Sequence, residues 1–146
     1  EGIKNKIQSL REICTKIAIR TSIIVGFPGE EEEDFNKLID FVKEVKFDRL
    51  GVFTYSDEEG THAADNLEDN IPNKVKQERY DKIMIIQQEI SLEKNKALVG
   101  ERDLVLIDKS SEEENWSIAR SYRDAPEIDN YVRIDEFHQF SSTFVT

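Results

Sequence analysis

A single cysteine, Cys14, stands among 146 residues. One thiol cannot close an internal disulfide, and it cannot build a metal site from cysteines alone. Long apolar runs are also missing. No stretch approaches the roughly 20 residues needed to cross a bilayer, and no signal-peptide pattern is read at the start. Bases are scarce relative to acids: 20 Lys and Arg stand against 31 Asp and Glu, a net charge of −11. That balance argues against general attraction to nucleic acid phosphate or to an anionic membrane, and favours a basic partner. Internal repeats and low-complexity segments are absent. With 38% hydrophobic residues, the length suits one ordinary domain or two small pieces. A cytoplasmic protein is the default expectation. The opening on Glu1 rather than methionine, inside a helical pattern, points to a fragment.

What is present centres on Ile23-Ile24-Val25-Gly26-Phe27-Pro28-Gly29-Glu30. A β-branched run stops at glycine, proline and glycine. Acidic residues from Glu30 to Asp34 follow, and then Phe35, Leu38, Ile39 and Val42 recur at helical spacing. The pattern predicts a buried strand over 18–25, a tight loop, and a helix over 31–45 whose acidic first turn suits the helix dipole. Asp48 to Tyr55 predicts a second strand. Strand, helix and strand in so short a span make a βαβ unit with parallel strands. Ligands bind at the carboxyl ends of such strands, and glycine there admits close approach to the backbone. The polar loop Ser56 to His62 would then flank the same site. A plain βα turn is the simpler reading of these residues, and a short glycine-bearing turn is by itself a weak signal. His62, alone in its loop, is read as a surface residue.

Before this unit, Ile3, Ile7, Leu10, Ile13 or Cys14, and Ile17 form one helical stripe over residues 1 to 17. Cys14 beside it reads as a small core residue. After it, Pro72 and Asn73 mark the start of a long helix to residue 97. Val75, Tyr80, Ile83, Met84, Ile86, Gln87, Ile90 and Leu98 supply its apolar face, and its many Lys, Glu and Gln residues its solvated face. The pattern changes at Val99-Gly100. Leu104–Ile107, Trp116–Arg120, Ile128–Ile134 and Ser141–Thr146 read as short strands, with Asp108–Asn115 as a polar turn. Short strands at this spacing predict a small β-barrel. Residues 98–146 hold 11 acidic and 5 basic residues, a net of −6, so this smaller part is the more acidic per residue.

Ile24 to Glu30, Phe53 to Thr61, Gln87 to Ser91 and Asp124 to Asp129 occur in that order. Together they resemble the C-terminal half of the radical S-adenosylmethionine methylthiotransferases. The Asp124–Asp129 segment looks like the branch that methylthiolates an aspartate of a small-subunit ribosomal protein, rather than the tRNA-modifying branch. The resemblance implies an α/β fold class. Residues 1–72 would be the C-terminal part of a partial (βα) radical SAM barrel, 73–97 a connecting helix, and 98–146 a small all-β TRAM barrel cut off at its last strand. It also implies that Gly26, Phe27, Pro28 and Gly29 lie beside the adenine of S-adenosylmethionine, with Phe53 and Tyr55 near the same ligand. Enzymes of this family cleave S-adenosylmethionine reductively and carry two 4Fe-4S clusters on cysteine thiolates. Cys14 alone cannot hold either, so no catalytic residue and no metal ligand is expected in this chain, and the chain by itself is expected to be inactive. His62 stands where the family usually has proline, and Ala119 and Asn130 where it usually has glycine.

Two other readings compete. The chain could be a fragment of a tRNA-modifying relative, or an RNA-binding TRAM module in which Trp116, Tyr122, Tyr131 and Phe137 stack bases. An RNA binder should present a basic face, and the acidity of residues 98–146 argues against one. The expected partner is instead a basic ribosomal protein of the small subunit. Glu112, Glu113, Glu114, Asp124, Glu127 and Asp129 are its expected docking residues. Arg120 and Arg123 would be counter-charges that keep the Asp124–Asp129 loop in shape.

Overall fold

Arg20–Val25 (β1) and Arg49–Thr54 (β2) pair in parallel, with Arg20 opposite Arg49 and Val25 opposite Thr54. They belong to a computed structural model that describes residues 2–138 and the backbone of 144–145. Glu32–Val45 (α2) joins them, so the βαβ unit expected from the hydrophobic pattern is present. The chain divides into two compact units, Glu1–Ala97 and Leu98–Thr146.

In the first unit, Gly2–Ile13 (α1) precedes β1, and His62–Asn66 (α3) and Asn73–Ala97 (α4) follow β2. Val25, Phe35, Ile39, Val42, Val52, Ile83 and Ile90 form its core. Residues of β1 and β2 alternate: Ile23, Val25, Leu50 and Val52 pack into that core, while Ile24 and Phe53, opposite one another in register, are exposed. The sheet is therefore covered on one face only within this unit. A strand so rich in β-branched residues reads as buried on both faces, and here that is only half met.

Three expectations are corrected. The first helix stops at Ile13 rather than near 17, and its apolar stripe does not face the core. Ile3, Leu10 and Ile13 are exposed, as is Cys14. Lys4 and Arg11 turn toward α2 instead. Lys4 pairs with Glu44, and Arg11 donates to the carbonyls of Val45 (2.6 Å) and Lys46 (3.0 Å). These carbonyls lie at the C-terminal end of α2 and lack partners within it, so a cation there satisfies both bonding and dipole. Second, α4 buries Ile83, Gln87 and Ile90 as expected, but it buries Lys76 and Arg79 beside them, while Met84 and Leu98, expected on the apolar face, are exposed. Third, the loop after β2 contains a short helix, α3, whose first turn is capped by Thr61 through a hydroxyl that accepts from the Ala64 N–H. His62 is its exposed first residue.

The second unit is an antiparallel sheet in the order β5-β4-β3-β6: Val132–Ile134, Trp116–Ser121, Val105–Ser111 and Phe144–Val145. β3 continues four residues past the expected Ile107, through an irregularity between Ile107 and Lys109. Backbone pairing with β4 carries it, although the side chains there are polar. β5 is shorter than expected, because Ile128 and Tyr131 are exposed and unpaired with the sheet. The strand expected over 141–146 is described only at Phe144–Val145; its other positions lie outside the described residues. Val105, Ile107, Ala119 and Ile134 make a small core.

Candidate functional site

The carboxyl ends of β1 and β2 lie side by side, because the parallel register places Val25 opposite Thr54. The chain leaves β1 through Gly26, at φ +71°, and Gly29, at φ +85°. Both angles lie in the left-handed region that glycine enters without a Cβ penalty. Gly26 and Pro28 are buried; Phe27 and Gly29 are exposed. The Phe27 ring meets Tyr55 edge-on at 5.1 Å, so the loop after β1 touches the end of β2 through aromatic contact. Of the six expected cofactor residues, the structure brings Phe27 and Tyr55 into direct contact, and Lys76 links Gly26 to Tyr55. Phe53 lies two residues before Tyr55, with its ring against Gly51, and is 58% exposed.

Sequence reasoning missed the polar residues that hold this arrangement. Lys76 of α4 is buried, donates to the Tyr55 carbonyl at 3.1 Å, pairs with Asp69 at 2.5 Å and sits 5.1 Å from the Tyr55 ring. Arg79, one turn along, pairs with the Glu30 carboxylate at 2.6 Å and donates to the Glu30 carbonyl at 3.2 Å. The other carboxylate oxygen of Glu30 accepts from the Gly26 N–H at 3.1 Å. A signal for these residues was available. The buried stripe through Ile83, Gln87 and Ile90 extends back through Arg79 and Lys76 with unbroken helical spacing.

The Tyr55 hydroxyl donates to Asp57 at 2.9 Å. Burial, then this bond, then the negative charges of Asp57 and Asp69 push its phenol above its ordinary value. The neutral form is thus favoured in the fold. Its contribution to stability is fully present below about pH 10, the value for an unperturbed tyrosine, and is lost as pH rises through the higher folded value. In an absorbance titration a late step above the ordinary tyrosine range is expected, and Tyr55→Phe should remove that step. A Tyr55→Phe protein that keeps the late step would refute the assignment.

The expected docking residues occupy two places in the second unit. Glu112, Glu113 and Glu114 form the exposed turn between β3 and β4, where the Glu114 carboxylate accepts from the Trp116 indole. Asp124 and Asp129 are half-buried and bond within their own loop. The Asp124 carboxylate accepts from the Ser121 hydroxyl at 2.7 Å, and Asp129 accepts from the Ala125 N–H at 2.6 Å. Glu127 is exposed at φ +61°. Arg120 pairs with Asp108 at 2.9 Å and Arg123 with Asp103 at 2.8 Å, which ties these arginines to β3 and the residues before it. No helix among the described residues is long and apolar enough to cross a membrane.

Comparison with known proteins bears out the resemblance stated from the sequence. Residues 99–146 match the family model described as TRAM_2: TRAM domain. Over 134 residues the chain is 52% identical to the ribosomal protein uS12 methylthiotransferase RimO of Carboxydothermus hydrogenoformans, covering 92% of this chain and 30% of that protein. The RimO of Psychrobacter arcticus is 48% identical over 136 residues, 93% of this chain and 26% of that protein. That of Vibrio cholerae is 49% identical over 135 residues, 92% of this chain and 28% of that protein. The chain thus spans between a quarter and a third of the length of these curated relatives.

Proposed function

We propose that this chain is the C-terminal portion of a radical S-adenosylmethionine methylthiotransferase that modifies an aspartate of ribosomal protein uS12. Near-50% identity to proteins of that name, sustained over nine-tenths of the chain, is the observation that carries the reading. In it, the first unit is the last part of a partial (βα) barrel, and the second is a TRAM domain that docks the protein substrate in the cytoplasm.

The residues at the strand ends suit S-adenosylmethionine. Phe27 and Phe53 present exposed rings for an adenine, and a side chain added at Gly29 would meet nothing within 4 Å, so the backbone there is open to a ligand. Gly26, Phe27, Pro28, Gly29, Phe53 and Tyr55 hold the cofactor in this reading. When bound, it supplies the hydrogen-abstracting chemistry of the reaction class. Iron–sulfur clusters do not fit this chain. Cys14 is its one cysteine, and among the described residues no group of three His, Cys, Asp or Glu is placed to hold a metal. Their ligands lie outside these 146 residues, and the chain alone is inactive.

The docking surface is acidic because its partner is basic. Of the six expected docking acids, Glu112, Glu113, Glu114 and Glu127 are exposed; Asp124 and Asp129 shape the loop that presents Glu127. Single exposed charges contribute roughly 0–1 kcal/mol, so several must act together. Reversing Glu112, Glu113 and Glu127 to lysine is expected to weaken binding of purified uS12 about tenfold at low salt, with a smaller effect at moderate salt. The same titration run with tRNA provides the control. Preference for tRNA, or uS12 affinity unmoved by the triple reversal, would overturn the docking assignment.

A further inference from the structure

We propose that Lys76 and Arg79 of α4 are positioning residues, which clamp the two strand-end loops at a fixed spacing so that they present one cofactor wall. The proposal rests on the cofactor reading above. Lys76 touches both loops at once. Its ammonium holds the Tyr55 carbonyl and Asp69. Its stem fills the space that a Cβ on Gly26 would need, with Cγ 2.4 Å from that position. Arg79 closes a second link: guanidinium to Glu30, and Glu30 to the Gly26 N–H. Both cations are buried, at 2% and 7% exposure. Burying a charge costs desolvation, and apolar residues at 76 and 79 would fill a core as well. What the charges add is direction. Each bonds to a particular atom of a particular loop, with charge-assisted bonds that fix geometry.

Within the loop after β1 the clamps leave one side open: Phe27 and Gly29 remain exposed while Gly26 is held against Lys76. The clamped side is therefore the α4 side, and the free side is the one that bears the exposed ring. Asp57 is tied in through the Tyr55 hydroxyl, so the device reaches the loop after β2 as well.

Amide hydrogen exchange on the 146-residue chain tests this without any ligand, and affinity for S-adenosylmethionine on the full-length gene product tests the consequence. In Arg79→Gln, Gly26 exchange is expected to rise about tenfold beyond any rise at Val42 in α2, which reports global opening. Affinity for S-adenosylmethionine should fall about tenfold, and Arg79→Lys should recover part of both. Glu30→Gln, which keeps an acceptor for the Gly26 N–H but removes the ion pair, provides a second variant should Arg79→Gln not fold. Gly26 exchange that rises only in step with Val42 means a merely structural role and overturns the proposal. So does unchanged affinity in a variant whose Gly26 has loosened. A wild-type gene product that binds no S-adenosylmethionine, while Gly26 still responds to Arg79, overturns the cofactor reading and leaves the clamp standing.

Discussion

Gly26→Ala is expected to destabilise the first unit by about 2–5 kcal/mol, the sum of left-handed backbone strain and overpacking. Two independent costs meet at this position. Gly26 has φ +71°, where a Cβ crowds the following carbonyl. The added Cβ would also lie 2.4 Å from Lys76 Cγ and 3.2 Å from its Cβ. The crowded atoms are near the backbone of α4, and the far end of Lys76 is pinned to Asp69 and Tyr55, so the side chain cannot simply swing aside. Gly29→Ala supplies the comparison. Its φ is +85°, but nothing lies within 4 Å of the new Cβ. It should cost only the backbone term, about 1–2 kcal/mol. Urea denaturation of the two variants measures the difference. Equal midpoints would show that Lys76 does not crowd Gly26. The double variant Gly26→Ala with Lys76→Ala should cost less than the sum of the singles, because the clash is then gone.

Ile83→Ala is expected to cost about 2–5 kcal/mol, while its neighbour Met84→Ala should stay within about 0.5 kcal/mol. Ile83 is fully buried among Val25, Phe35, Ile39, Val42, Val52 and Ile90. Truncation leaves a cavity between α4 and the β1–β2 sheet that close-packed neighbours cannot fill. Met84 is 36% exposed and points about 100° around the helix from Ile83. Thermal or urea unfolding of both variants decides the matter. A Met84 effect as large as that of Ile83 would mean that α4 docks by a different face.

These two pairs of variants mark the boundary between what was legible and what was not. The strand, loop and helix from Ile23 to Val45 were legible because each has its own local signature. β-Branched residues, then glycines, then acids and a 3.6-residue apolar period are properties of neighbouring residues. The parallel pairing of β1 and β2 followed, because the helical crossover between them leaves no other short route. That the two strand ends lie side by side was therefore a deduction from sequence. So were the exposed Glu112–Glu114 turn and the resemblance that comparison later bore out.

The rotation of helices was legible only in part: the face of α4 bearing Ile83, Gln87 and Ile90 docks as expected, but that of α1 does not. Periodicity tells which residues share a face and not which face docks. In α1 the apolar stripe of Ile3, Leu10 and Ile13 is left exposed, because Arg11 finds the free carbonyls at the end of α2. In α4 a stripe of mixed character, from Lys76 through Arg79, Ile83 and Gln87 to Ile90, is the one that is buried. Polar residues alone predict solvent. Only when a distant acid or carbonyl is brought within hydrogen-bond reach does burial cease to be costly. Asp69 and the Tyr55 carbonyl do this for Lys76, Glu30 for Arg79, and the Phe47 carbonyl for Gln87 at 3.0 Å. The chain's own pattern determined the elements and their order. The tertiary structure decided which charges belong to the core, because their partners lie many residues away and meet them only when the chain is folded.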